Sequence, residues 1–176
     1  MPKLQVVRSD DLSRETLSEI RALLEGAFAD GFDDDDWNHA LGGWHVLARD
    51  EALVAHAAVV ERALEVSGRA IRAGYVEGVA TTPTRQGEGV GSLVMRRVGQ
   101  LLEAEFELGA LSTGRHTFYE RLGWERWHGP TFVRHGPNVI RTADEDDGIM
   151  VLRYGTTSGL DLAALISCET RPGDDW

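Results

Sequence analysis

Gln86-Gly87-Glu88-Gly89-Val90-Gly91 decides how this chain reads. The hexapeptide is a Q-x-x-G-x-G loop set between a β-rich run, Ala70 to Thr82, and a helical pattern. Glycines at every second position let the backbone turn tightly and approach a ligand with no Cβ in the way. The first-turn N–H groups of the following helix lack intrahelical partners, and with the helix dipole they form a site for phosphate. That helix is well marked, because Val90, Leu93, Val94, Val98, Leu101 and Leu102 fall on one face, with Arg96, Arg97, Gln100 and Glu103 between them. The loop therefore points to a pyrophosphate-bearing cofactor. Taken alone, it is also compatible with a strand-to-helix turn that holds nothing. A P-loop needs a lysine for the outer phosphates, and the only lysine here is Lys3. A dinucleotide fold needs G-x-G-x-x-G at the start of a βαβ unit, but Gly87-x-Gly89 leads to Ser92 and no βαβ repeat follows.

Further along, Phe118-Tyr119-Glu120-Arg121-Leu122-Gly123-Trp124 reads as a short helix ended by glycine, then an aromatic that opens a strand. With the loop upstream and a strand at Leu108 to Leu111 between them, the chain resembles the GCN5-related N-acetyltransferase (GNAT) superfamily. That superfamily has a Q/R-x-x-G-x-G/A motif and a later F-Y-x-x-x-G-F element, matched here with Trp124 in the last place. The implied fold is α/β, a central, mixed, mostly antiparallel and splayed β-sheet flanked by helices, with residues 1–176 forming one domain.

Charge bears on the partner. Twenty-nine acids against eighteen bases give a formal net charge of −11, which repels nucleic acid and anionic membranes and attracts cations. The acids cluster at Asp30 and Asp33 to Asp36, at Asp144 to Asp147, and at Asp174-Asp175. They read either as solvated loops or as walls of a site for a polycation. No apolar run approaches the ~20 residues of a membrane span, and no signal-peptide pattern opens the sequence, so a cytoplasmic location is expected. Cys168 permits no internal disulfide and reads as a small buried apolar residue. The six histidines have no metal-ligand spacing, so no metal is expected.

The remaining pattern places these groups. Leu4 to Val7 is a strand, and Ser13 is a fitting N-cap for a helix carrying Leu17, Ile20, Leu23, Leu24 and Phe28. Trp37 and Leu41 suggest a second short helix, and Trp44 to Arg49 and Leu53 to Glu61 a hairpin turning at Asp50-Glu51. Gly129 to Gly148, rich in Gly, Pro, Arg and Asp, predicts a long irregular insertion before a strand at Ile149 to Tyr154. The apolar residues of the last twenty positions are enough to dock the tail.

At finer grain the chain resembles the aminoglycoside 2′-N-acetyltransferases. The segments that carry this are Gly26-Ala27-Phe28-Ala29, Asp36-Trp37, Leu41-Gly42-Gly43, Ala55-His56-Ala57-Ala58-Val59 and Gly74 to Ala80. Leu108 to Ser112, Trp127 to Thr131, Asp146-Asp147-Gly148 and the ending Gly173-Asp174-Asp175-Trp176 carry it further. The resemblance implies acetyl transfer from acetyl-CoA to the 2′-amine of a cationic aminoglycoside, which inactivates the drug and confers resistance. It also implies a homodimer, by analogy only.

It further implies roles. Glu77 is the base, direct or through water, and Tyr119 the acid for the leaving thiolate. Trp176, through a terminal carboxylate, is a second catalytic or anchoring group. Val79 supplies the backbone donor for the oxyanion, Val79, Ala80 and Thr81 hold the pantetheine arm, and Gln86, Gly87, Glu88, Gly89, Val90 and Gly91 hold the pyrophosphate. Asp30, Asp36, Glu77, Gly78, Ser112, Asp146, Asp174 and Trp176 face the drug. The family's Asp-Phe stands here as Gly31-Phe32, with Asp30 one place earlier, and Ser112 to Tyr119 is two residues short of the family pattern. Two other functions are compatible with the residues: a GNAT acetylating another polyamine or a cell-envelope amine, and a CoA-binding sensor with little turnover.

Overall fold

The computed structural model describes all residues, 1–176. They divide into two compact units, one formed by Met1–Val60 and Val76–Val98, the other by Glu61–Tyr75 and Gly99–Trp176.

In the first unit, β1 (Lys3–Arg8) pairs antiparallel with β2 (Trp44–Arg49), and β2 with the first half of β3 (Leu53–Val66). β4 (Arg69–Thr81) is the next strand beyond β3. Helix α1 (Arg14–Ala27) starts as its cap predicts, with the Ser13 hydroxyl accepting from Thr16 N–H at 3.1 Å. Its Ile20 and Leu24 are fully buried with Leu47, Leu53 and Ala80, and each such side chain contributes about 2–3 kcal/mol by leaving water. Helix α2 (Asp34–His39) explains part of the first acidic run. Asp33 accepts from Asp36 N–H and Asp36 from Asp33 N–H, both at 3.0 Å, a reciprocal capping box. Asp34 meets Arg21 at 2.7 Å. Acids at a helix N-terminus also oppose its dipole favourably, so these carboxylates build local structure.

The second unit holds the end of β3, the start of β4, β5 (Leu108–Ser112), α4 (His116–Glu120), β6 (Glu125–Arg126), β7 (Thr131–His135), β8 (Asn138–Arg141), β9 (Ile149–Arg153) and β10 (Ile166–Glu169). Helix α3 (Val90–Glu105) begins in the first unit and ends in the second. β4 runs parallel to β5 over Ala73–Tyr75, β5 antiparallel to β9, and β9 antiparallel to β6. β10 is antiparallel to β3 and parallel to β7. The sheet is thus mixed and mostly antiparallel with helices beside it, as expected.

The stretch predicted as irregular, Gly129 to Gly148, is instead largely a β-hairpin, β7–β8, joined by Gly136-Pro137. Thr131-Phe132-Val133 alternates buried and half-buried side chains. Gly136, at φ 56°, opens a two-residue turn, so the glycine and proline that suggested an irregular insertion are the turn. No helix is long and apolar enough to cross a membrane.

Candidate active site

In the first unit, β4 leads through a 3-10 turn at Pro83–Arg85 into the glycine loop and α3. Gln86 Nε2 donates to the Thr81 carbonyl at 3.1 Å, fastening the loop to the strand end. Arg85 pairs with Glu88 at 2.7 Å and also with Asp50. Gly87 and Gly89 have φ of 82° and 83°, and a Cβ added to either meets nothing within 4 Å. Their glycine identity therefore answers to backbone conformation, and the space above them is open. The first helical bond runs from Leu93 N–H to the Gly89 carbonyl at 3.0 Å, and the earlier amides of α3 lack helical acceptors. An open, donor-rich turn at a helix N-terminus fits a phosphate group.

Glu77, half-buried, and Gly78 sit on β4 before this loop. Gly78 has φ 56°, and an added Cβ would lie 3.1 Å from Leu24 Cδ1 and 3.5 Å from His56 Cε1. The Gly78 carbonyl is 2.7 Å from His56 Nδ1, His56 Nε2 is 2.9 Å from His45 Nδ1, and His45 Nε2 is 2.7 Å from Ser9 Oγ. Both rings are fully buried. Burial lowers His45 to about 4, and burial together with the His45 ring lowers His56 to about 3. Sequence spacing alone missed this line. His45 opposes Ala58 and His56 opposes Leu47, so the two rings are diagonal neighbours on one sheet face. The available signal was a histidine inside each of two apolar strand runs. Asp36 of this unit is engaged in the α2 cap, and Asp30 lies in an exposed turn after α1.

In the second unit, Tyr119 is buried, with its ring edge-on to Phe118 and Trp124. Burial pushes its phenol up to about 12, against a smaller opposing effect of Arg115. Ser112 ends β5 and faces Gly148, where a Cβ would come within 3.0 Å of its Oγ. Asp146 is gripped by Arg141 and accepts from Thr131 N–H and Oγ1, each at 3.0 Å. Arg141, then the Thr131 bonds, hold its carboxyl well below the usual range. It can meet an ammonium only in competition with Arg141.

A cleft of about 420 Å³ in this unit is lined by Asp144, Glu145, Asp174, Asp175 and Trp176, and by Arg141. Burial, then Asp174, Asp144 and Asp175, raise the Glu145 carboxyl. Trp176 is buried and donates to Thr142 Oγ1 at 3.1 Å. The tail is latched by buried Arg62, which donates to the Asp175 carbonyl and to the Glu169 carbonyl, both at 2.7 Å. Cys168 is buried beside it, as expected.

The acetyltransferase (GNAT) domain family matches residues 9–127. An aminoglycoside 2′-N-acetyltransferase of Mycolicibacterium fortuitum is 43% identical over 98% of this chain and 91% of its own. Among solved structures, the fold is similar to that of Escherichia coli YhbS, a GNAT family N-acetyltransferase solved in complex with CoA. The TM-score is 0.66 at 17% identity, over 96% of this chain and 91% of that one. It is also similar to a GCN5-related N-acetyltransferase of Kribbella flavida, with a TM-score of 0.59 at 23% identity; the match covers 73% of this chain but only 35% of that longer one. The chain belongs to the GNAT acetyltransferases and, within them, to the aminoglycoside 2′-N-acetyltransferase family. It is an acyltransferase.

Proposed function

We propose that this protein transfers the acetyl group of acetyl-CoA to the 2′-amine of an aminoglycoside. The observation that carries this reading is that similarity to the M. fortuitum enzyme runs over 98% of the chain, so it is not confined to the cofactor loop. The open glycine turn and the acid-lined cleft support it.

Acetyl-CoA, when bound, supplies an acyl group activated by its thioester. The backbone of Gln86, Gly87, Glu88, Gly89, Val90 and Gly91, with the start of α3, holds the pyrophosphate. Val79, Ala80 and Thr81 hold the pantetheine arm as an added strand would be held. An aminoglycoside arrives as a polycation, and an ammonium is no nucleophile, so Glu77 takes one proton from the 2′-ammonium, directly or through water. The C–N bond forms as the C–S bond breaks, the nitrogen gives up its second proton to the departing thiolate or to solvent, and the Val79 N–H meets the charge that builds on the acyl oxygen. Tyr119 meets the leaving sulfur. A phenol at about 12 is fully protonated at neutral pH. It also holds its proton against a thiolate of ordinary pKa near 8.5. Tyr119 therefore serves mainly as a hydrogen-bonding acid while the bond breaks. Asp174, with Asp30, Asp36 and Asp146, pairs with the remaining ammonium groups, while Gly78, Ser112 and Trp176 shape the drug's seat.

The test is thiol release from acetyl-CoA with tobramycin, which bears a 2′-amine, and with kanamycin A, which bears a 2′-hydroxyl. Turnover of the first alone is expected. Equal turnover of both moves the reaction to another amine, and binding of acetyl-CoA without turnover of either reopens the acceptor.

A further inference from the structure

We infer that His56, set by His45 and Ser9, is a positioning residue that fixes and polarises the Gly78–Val79 peptide and so strengthens the Val79 N–H. The inference rests on the role given to Val79 above.

The direction of every bond in the line is forced. A carbonyl oxygen only accepts, so the His56 Nδ1 at 2.7 Å from Gly78 O carries the hydrogen. Both rings are neutral because burial disfavours their charge. His56 Nε2 is then bare, so His45 Nδ1 donates to it at 2.9 Å. That leaves His45 Nε2 bare, so the Ser9 hydroxyl donates to it at 2.7 Å, and Ser9 Oγ accepts from Gly42 N–H at 3.0 Å. Four donors thus point one way, from the loop before β2 across β2 and β3 to one carbonyl on β4.

That carbonyl and the Val79 N–H belong to a single resonant peptide. A hydrogen bond to its oxygen withdraws electrons from its nitrogen and makes the N–H a stronger donor, and chains of such bonds strengthen one another by about 10–30% per bond, more effectively in a dry interior. The peptide is also confined. Gly78 adopts a left-handed φ of 56°, and an added Cβ there would crowd Leu24 Cδ1 at 3.1 Å and touch His56 Cε1 at 3.5 Å. Packing alone does not ask for this chemistry. The neighbours Val46, Leu47, Ala55 and Ala57 are buried aliphatics, and an aliphatic pair would fill the same volume without the cost of two desolvated imidazoles.

The first measurement needs no turnover: ¹⁵N NMR of the free protein, reading the ring tautomers of His45 and His56 and the Val79 amide. Both rings are expected as the Nδ1–H tautomer, with the Val79 amide proton shifted downfield. An Nε2–H tautomer at either ring overturns the relay. The second compares His56→Leu with His56→Asn, since asparagine can place an N–H where Nδ1 stood. His56→Leu is expected to lower kcat about fivefold or more, with KM for acetyl-CoA within about twofold and the Val79 amide moved upfield. His56→Asn is expected to restore most of both. Unchanged kcat in His56→Leu, or equal loss in both variants, overturns the inference. Absence of turnover in the wild-type protein would instead fail the reading of function, and the tautomers would still decide the relay.

Discussion

The two units arrange their polar groups in opposite ways. In the first, Ser9, His45, His56 and Gly78 form a closed line in which each donor has an acceptor and no ring carries charge. In the second, Glu145, Asp144, Asp174 and Asp175 crowd one cleft with like charge, and Glu145 resists ionising. A satisfied network specifies geometry, whereas crowded like charge invites a cation. On the proposed reading, the first unit carries the base and the oxyanion donor, while the second carries Tyr119 and the acid-lined cleft that meets a polyamine.

The sharpest way to break that division is Glu77→Gln. Loss of a positioned base costs about 10²-fold or more in kcat/KM, while acetyl-CoA affinity stays nearly constant because the Gln86–Gly91 loop is untouched. Equal activity across pH in this variant, measured by thiol release, would remove Glu77 from the chemistry and with it the first unit's claim to the reacting proton.

Acid separates the two regions by sign. His45 and His56 titrate at about 4 and about 3 when folded, against 6.5 for an ordinary ring. Below pH 6.5 the unfolded chain binds protons that the folded chain refuses, so stability falls as pH falls, by about 1.4 kcal/mol per pH unit for each ring. From pH 6.5 to about 5 that is roughly 2 kcal/mol per ring. Glu145 acts oppositely. Its folded pKa is raised, so its destabilising effect is full above that pKa and is relieved as pH falls through it. Urea midpoints at pH 7 and pH 5 should therefore fall steeply in the wild type and less in His56→Asn. An unchanged slope in that variant would mean that the ring is not neutral inside the fold.

Tyr119→Phe is smaller again, about tenfold in kcat with little change in KM. A loss confined to KM would make Tyr119 a packing residue beside Phe118 and Trp124, and would leave the second unit with recognition alone.

What could be read from sequence follows the range of the interaction. The α1 cap at Ser13, the α3 face and the turn at Gln86–Gly91 depend on residues within one or two helical turns, and they stand where spacing put them. The β7–β8 hairpin was missed because Gly136-Pro137 signals a turn without saying what it joins, and β7 gains its partner, β10, from about thirty residues away. The imidazole line was hidden for the same reason. His45 and His56 meet through strand register, and Gly78 joins them from a third strand. The acidic runs looked alike in sequence, yet Asp33 and Asp36 cap a helix, Asp146 is gripped by Arg141, and only the Glu145–Asp174 group crowds a cleft.

The smallest expected effect tests that last distinction most directly. Glu145→Gln removes one member of a repelling group without removing volume. If the cleft is strained by its own charge, the variant is more stable at neutral pH, by up to about 1 kcal/mol, the range of exposed and half-exposed charge pairs. Its KM for tobramycin should rise while KM for acetyl-CoA holds, and added salt, which screens exposed carboxylates, should narrow the gap between variant and wild type. Function would then be set against stability at one residue. Asp146→Asn supplies the contrast: its amide oxygen can still accept from Thr131, but it removes the charge that pairs with Arg141, so it should lower stability where Glu145→Gln raises it. If both variants moved stability in the same direction, the acids of the second unit would be one solvated surface, and the cleft would lose its claim to the drug.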